Sequence, residues 1–441
     1  MVATGAKRKW LVDSAVQPED RKRMTGKTVI IGLDGVPYAM IKDFAASGVM
    51  PNTARLIDGG FFSPMCSSIP EVSSVAWSSM ITGKNPAEHG IFGFMELHAN
   101  SYRMRFPNYS DLKAAPFWET CEGKSVIINV PSTYPVRPAN GVLISGFVSI
   151  DFNKSVYPPA LIPTLKEFDY RLDVDAAKAH KSMDLFLEDV EQTLQAMIRA
   201  ARWLWDYCDW RTYMLVFTGT DRLMHFLYDA YEDAAHPHHA AFVDHFRTID
   251  TVVGEIAGRL GDNDRLIMHS DHGFERLDYD VFVNHALTQN GFLNFKPGLE
   301  STFENICPGT KAFALDPARI YLNYKDKYPC GTVDPSEAET ILRDLEALFA
   351  ALEIDGRKVI RNIHRKHDVY SGPYIDDAPD LLLIADRGFN LKGKAASDRL
   401  YTKGIFTGKH TYDTAFLLAK GCDTSRLPGP PTVSDIVRLF T

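Results

Sequence analysis

Residues 27–35 read KTVIIGLDG, and this stretch decides the fold. The run is almost continuously apolar, the pattern of a strand covered on both faces rather than one with a solvated side. It stops at Asp34-Gly35, so a carboxylate stands at the carboxyl end of an expected central strand. Open α/β sheets place their ligands at that edge. Four further segments carry the same signature: 124–129 (KSVIIN), 141–145 (GVLIS), 212–217 (TYMLVF) and 266–269 (LIMH). Helical spacing separates them. Apolar residues fall at 183, 186, 187, 190, 194, 197, 198, 201 and 204, and Phe246, Ile249, Val253, Ile256 and Leu260 share one face of a second helix. Shorter helices are expected over 38–46 and from Pro51. This alternation predicts a doubly wound, mostly parallel sheet with helices on both faces.

The length of 441 residues accommodates a large α/β core with an insertion. Residues 1–26 read as a polar leader, and 27–273 with 409–441 as the catalytic core. Between 274 and 408 the alternation loosens, and this part reads as an inserted cap that shapes a substrate pocket, with a helix over 335–352 and a strand over 380–385. The chain closes on a strand at 415–418 and a short helix at 433–440. Acidic residues number 56 against 48 basic, so the net charge of −8 disfavours a nonspecific nucleic-acid binder. Six scattered cysteines form no CxxC pair, which excludes a zinc knuckle or disulfide framework. No apolar run approaches the roughly 20 residues of a membrane helix. The leader lacks a signal-peptide core, so a cytoplasmic location is expected.

A second stretch, 69–94, reads IPEVSSVAWSSMITGKNPAEHGIFGF. It has the form of a strand end turning into a helix with Ser73 or Ser74 at the junction, where unpaired N–H groups favour an anion. Taken alone, Ser73 reads as an ordinary N-cap, and Trp77 as helix packing. Four later or earlier strand ends bear ligating side chains: Asp34 in GLDG, Asp221 and His225 in DRLMH, Asp271 and His272 in SDHG, and His410 in GKH. Asp221 and His225 are four apart and share a helix face. Asp271 and His272 converge only from a turn, which Gly273 permits. Each piece alone is weak, since an i, i+4 Asp–His pair is usually a surface pair. Together they supply carboxylates and imidazoles without cysteine, a donor set that suits zinc first and manganese second.

With these residues in view, the chain resembles the type I phosphodiesterase/nucleotide pyrophosphatase branch of the alkaline phosphatase superfamily. Pro70-Glu71-Val72-Ser73, Thr82-Gly83 and Pro86-Ala87-Glu88-His89-Gly90-Ile91 match its nucleophile region, and Asp221/His225, Asp271/His272/Gly273 and Gly408/His410 match its later elements. The resemblance implies two divalent ions, one held by Asp34, Asp271 and His272 and the other by Asp221, His225 and His410. It selects Ser73 as nucleophile and leaves His89 outside the ligand set. It implies hydrolysis of a small phosphate ester, a phosphodiester ahead of a monoester, through a phosphoserine. A phosphomonoesterase, a mutase-type phosphotransferase and a non-catalytic binder of a phosphorylated ligand are the alternatives. One position departs from the pattern: Phe94 stands where nucleotide pyrophosphatases of this group carry an asparagine that donates to phosphate. Asn129 and Lys84 are the candidate replacements.

Overall fold

Thr28–Leu33 is a fully buried strand, and its two faces feed two separate apolar layers. Val29, Ile31 and Leu33 point into one cluster, and Ile30 into the other, as the two-residue period of a strand requires. That is why the run is continuously apolar. Position 32 falls on the Ile30 side and is glycine there because the Trp77 ring occupies the space a side chain would take; a Cβ at Gly32 would fall 2.4 Å from the indole.

The computed structural model describes residues 26–441, so apart from Gly26 the expected leader lies outside the described residues. The main sheet has eight strands. In spatial order they are Phe61–Met65, Ala415–Lys420, Arg265–His269, Thr28–Leu33, Trp210–Phe217, Lys124–Val130, Gly141–Ser145 and Val156–Tyr157. The five consecutive strands from Arg265–His269 to Gly141–Ser145 are mutually parallel. Helices Tyr38–Ala46, Met183–Trp205 and His239–Ala257 cover one face, and Ser73–Thr82 packs on the other.

The edges supply the antiparallel pairs of this mostly parallel sheet. Ala415–Lys420 runs antiparallel to both of its neighbours, and Val156–Tyr157 is antiparallel at the opposite edge. Phe61–Met65 carries no alternating pattern and contains Pro64, which an edge strand tolerates because one row of its backbone donors needs no partner.

Between residues 274 and 408 the chain builds a second, antiparallel sheet, ordered Ala312–Leu315, Arg319–Leu322, Leu381–Ala385 and Ile360–Arg365. Helix Ala338–Ala350 packs on it through Ile341, Leu345 and Phe349. This sheet has its own apolar cluster, to which Tyr102 also contributes. The two ends of the segment meet in a ribbon, Gly273–Arg276 antiparallel to Gly408–Thr411, with Phe274 opposite His410. That pairing returns the chain to the carboxyl edge of the main sheet.

Candidate active site

Every candidate ligand sits just beyond the carboxyl end of a parallel strand or on the ribbon beside it. Asp34 follows Thr28–Leu33, and Asp271 and His272 follow Arg265–His269. Asp221 and His225 lie in the helix Gly219–Glu232 that leaves Trp210–Phe217, and His410 comes from the ribbon. The fold gathers them into two groups, Asp34/Asp271/His272 and Asp221/His225/His410, the donor atoms within each lying within 4.8 Å of one another.

The hydrogen bonds of the three imidazoles fix which nitrogen faces the cluster. Nδ1 of His225 lies 3.3 Å from the Gly408 carbonyl, Nδ1 of His410 3.1 Å from the Glu71 carbonyl, and Nδ1 of His272 3.1 Å from the Gly273 carbonyl. A carbonyl only accepts, so each Nδ1 carries the proton and each Nε2 presents a lone pair. The Nε2 atoms of His225 and His410 then face each other at 3.0 Å, with Asp221 Oδ1 3.0 Å from His410 Nε2 and 3.5 Å from His225 Nε2. Two lone pairs and a carboxylate oxygen at that spacing repel unless a cation lies among them.

The second group makes the same demand. His272 Nε2 is 3.4 Å from Asp271 Oδ2 and 3.6 Å from Asp34 Oδ1, and both of those carboxylate oxygens are buried without a hydrogen-bond partner. Unpartnered buried carboxylate oxygens are costly. Their other oxygens are bound: Trp77 Nε1–H donates to Asp34 Oδ2 at 3.2 Å, and Gly35 N–H donates to Asp271 Oδ1 at 3.0 Å. The residues therefore fit divalent ions, with one oxygen of each carboxylate positioned by the protein and the other left over.

The titration behaviour agrees. Burial, and then Asp271 and Asp221, push the Asp34 carboxyl well above its usual range, and burial lifts Asp271 to about 7. Burial also holds His225 down to about 3 and His272 well below an ordinary imidazole. Asp221 is the exception: burial raises it, but His225, His410 and Arg222 outweigh that and hold it low. Arg222 donates to Asp221 Oδ2 at 3.2 Å and is itself anchored on Asp173 at 2.9 Å.

Ser73 Oγ is 3.2 Å from His272 Nε2. The N-cap reading of Ser73 is corrected here. Val72 occupies the cap position and Ser73 is the first residue of the helix Ser73–Thr82, with no side-chain cap bond, so its hydroxyl faces the cluster. Ser74 Oγ is buried without a partner. Trp77, expected only to pack, stands four residues after Ser73 on the same helix face and holds Asp34. Gly273 serves a different need from the turn expected of it, because it opens a strand where a Cβ would fall 2.0 Å from Thr414 Oγ1. His89 lies outside both groups, bonded to Ser79 Oγ at 3.0 Å and accepting from Ile91 N–H at 3.2 Å.

Neither proposed replacement for the missing asparagine stands free. The Asn129 amide nitrogen donates to the Val216 carbonyl and Thr218 Oγ1 at 3.1 and 3.2 Å. Lys84 pairs with Glu88 at 3.2 Å and lines a different cavity. Phe94 lines a cavity of ≈ 290 Å³ together with His225 and His410, and its ring stands edge-on to Phe147 at 5.3 Å.

The sheet and the paired carboxylate–imidazole groups define an alkaline phosphatase-like α/β protein. Residues 28–413 match the description of the type I phosphodiesterase / nucleotide pyrophosphatase family, and the chain belongs to that family. Among solved structures it is similar to the phosphonoacetate hydrolase of Sinorhizobium meliloti 1021 in complex with phosphonoformate, at 16% identity and a TM-score of 0.61 over 94% of each chain. It is also similar to murine ectonucleotide pyrophosphatase / phosphodiesterase 5, at 12% identity and a TM-score of 0.51 over 89% of this chain and 87% of that one. At these identities the likeness concerns the fold. No curated protein sequence matches the chain. Among the described residues no helix is long and apolar enough to cross a membrane.

Proposed function

We propose that this protein hydrolyses a phosphodiester of a small organic alcohol, with Ser73 as nucleophile and two divalent ions, zinc ahead of manganese. The observation that carries the reading is the facing of His225 Nε2 and His410 Nε2 at 3.0 Å with both Nδ1 atoms bound to carbonyls. Asp34, Asp271 and His272 would hold one ion and Asp221, His225 and His410 the other. When bound, such ions supply Lewis acidity at the phosphoryl oxygens and lower the pKa of an attacking hydroxyl. Membership of a metal-dependent family supports the same assignment.

The chain's own residues do the remainder. Ser73 Oγ lies 3.2 Å from His272 Nε2, the nitrogen that would ligate an ion, so its proton leaves to solvent water, and it stands on the first turn of a helix whose N-terminal dipole favours the alkoxide. Attack by Oγ on phosphorus breaks the bond to one ester oxygen, which leaves as an alcohol. Water then cleaves the phosphoserine and returns the serine hydroxyl. Trp77 and the Gly35 amide fix Asp34 and Asp271 through both steps. In this reading the segment 274–408 is the cap that selects the ester group, since ten of the residues lining the cavity beside His225 and His410 come from it, Phe389 and Leu391 among them.

Comparing 4-nitrophenyl phosphate with a 4-nitrophenyl alkyl phosphate tests the substrate class with the leaving group held constant. The diester is expected to show the higher kcat/KM by about tenfold or more. A faster monoester would reverse the assignment to a phosphomonoesterase.

A further inference from the structure

Among the described residues, the cavity beside His225 and His410 contains one ammonium group without an ion pair. Four charged side chains line it: Glu71, Asp316, Lys392 and Lys409. Lys409 is buried and pairs with Glu275 at 3.0 Å. Glu71 lies two residues before Ser73, its carbonyl binds His410, and the cations acting on its carboxylate are Lys409, His410 and Arg361. The carboxylate of Asp316 accepts the Gly393 N–H. Lys392 remains. It is half-buried on the strand Phe389–Lys392, and among the described residues its ammonium has neither an ion pair nor a hydrogen bond.

Around it the walls are apolar. Phe94, Phe389, Phe406 and Leu391 line the same cavity as Lys392 and the two histidines. A volume of ≈ 290 Å³ has room for a small organic group beside phosphorus. Phe94 offers no donor to such a group and instead gives it an aromatic edge. Half-buried ammonium groups are stabilised by charge-assisted contact when a ligand supplies an anion.

We infer that the organic group held beside phosphorus ends in an anion, a carboxylate or a phosphate, which pairs with Lys392 across a short apolar spacer. This assignment rests on the phosphoesterase reading above, which supplies the phosphorus end of the ligand. It identifies Lys392 as a specificity-determining residue that takes no part in bond breaking.

Alkylphosphonates carry one organic group and are not hydrolysed as esters, so they probe the cavity alone. Calorimetric titration of the zinc-loaded full chain with butylphosphonate, 3-aminopropylphosphonate and ω-carboxyalkylphosphonates of two to five carbons reads the preference directly. The best carboxyalkyl ligand is expected to bind about tenfold or more tightly than butylphosphonate. In K392A that ratio should fall to near unity with butylphosphonate affinity kept, and in K392E the aminopropyl ligand should bind best. A carboxylate preference that survives K392A, or none in the unmodified protein, overturns the assignment while leaving the phosphoesterase reading in place. Failure of every phosphonate to bind the zinc-loaded protein would instead contradict the phosphoesterase reading and remove this inference with it.

Discussion

Ser73→Ala is expected to lower kcat for an activated phosphodiester on the order of 10⁴-fold while leaving the bound metal nearly unchanged. The size follows from what the hydroxyl does in the proposed reaction. It is the attacking atom, and its neighbours do not duplicate it: Ser74 Oγ is buried and unpartnered, and the other two serines of the helix are engaged, Ser78 with the Ser74 carbonyl and Ser79 with His89. Folding should be little affected. Alanine is at least as good a helix former at this position, and the one lost contact, to His272 Nε2 at 3.2 Å, is worth about 1 kcal/mol. Steady-state rates together with metal analysis of the variant check this. Full activity in Ser73→Ala would move the nucleophile to Ser74 or to water.

Asp271→Asn carries the second large effect, a loss of turnover on the order of 10³-fold or more. Here the loss should be accompanied by loss of metal, the opposite of the serine variant. Asp271 has one oxygen held by the Gly35 amide and the other unpartnered, so the amide replacement removes the negative charge that the cation needs. The same residue gives the pH dependence its sign. In the metal-free protein Asp271 titrates near 7, raised by burial. A folded-state value above the unfolded one means that its protonated form stabilises the fold at low pH. That stability is lost as pH rises from about 4 through 7. The metal-free protein should therefore melt at lower temperature at pH 8 than at pH 5 in its Asp271-dependent part, and Asp271→Asn should flatten that slope. Metal affinity should rise over the same interval, because the ion displaces the proton. Thermal melts with and without zinc across this range read both trends.

The fold was legible in the sequence where burial is two-sided. KTVIIGL, TYMLVF and LIMH each read as strands because both faces are covered, and the helices carrying 183–204 and 246–260 announce themselves by one apolar stripe. The edges were not legible. Phe61–Met65 and Val156–Tyr157 gain their structure from a neighbour's backbone, and neither carries a periodic pattern of its own.

The site was legible as a set of residue types placed after strands, because a strand end fixes where the next one or two residues lie. What sequence did not reveal were contacts that depend on packing between distant elements. Trp77 reaching Asp34, Gly273 making room for Thr414, and Asn129 bound to Val216 and Thr218 are all of this kind. His410 enters the ligand set through a resemblance to a family element; the ribbon that delivers it, with Phe274 opposite His410, joins residues 136 apart and leaves no local trace.

The most direct test of the two-ion serine mechanism is activity measured against bound metal. The chelated protein is reloaded with zinc in known fractions, and the content of each sample is determined alongside its rate on an aryl phosphodiester. Two equivalents per chain are expected at saturation, with negligible turnover in the metal-free protein and full recovery on reloading. Undiminished turnover in protein stripped of both ions would contradict that mechanism.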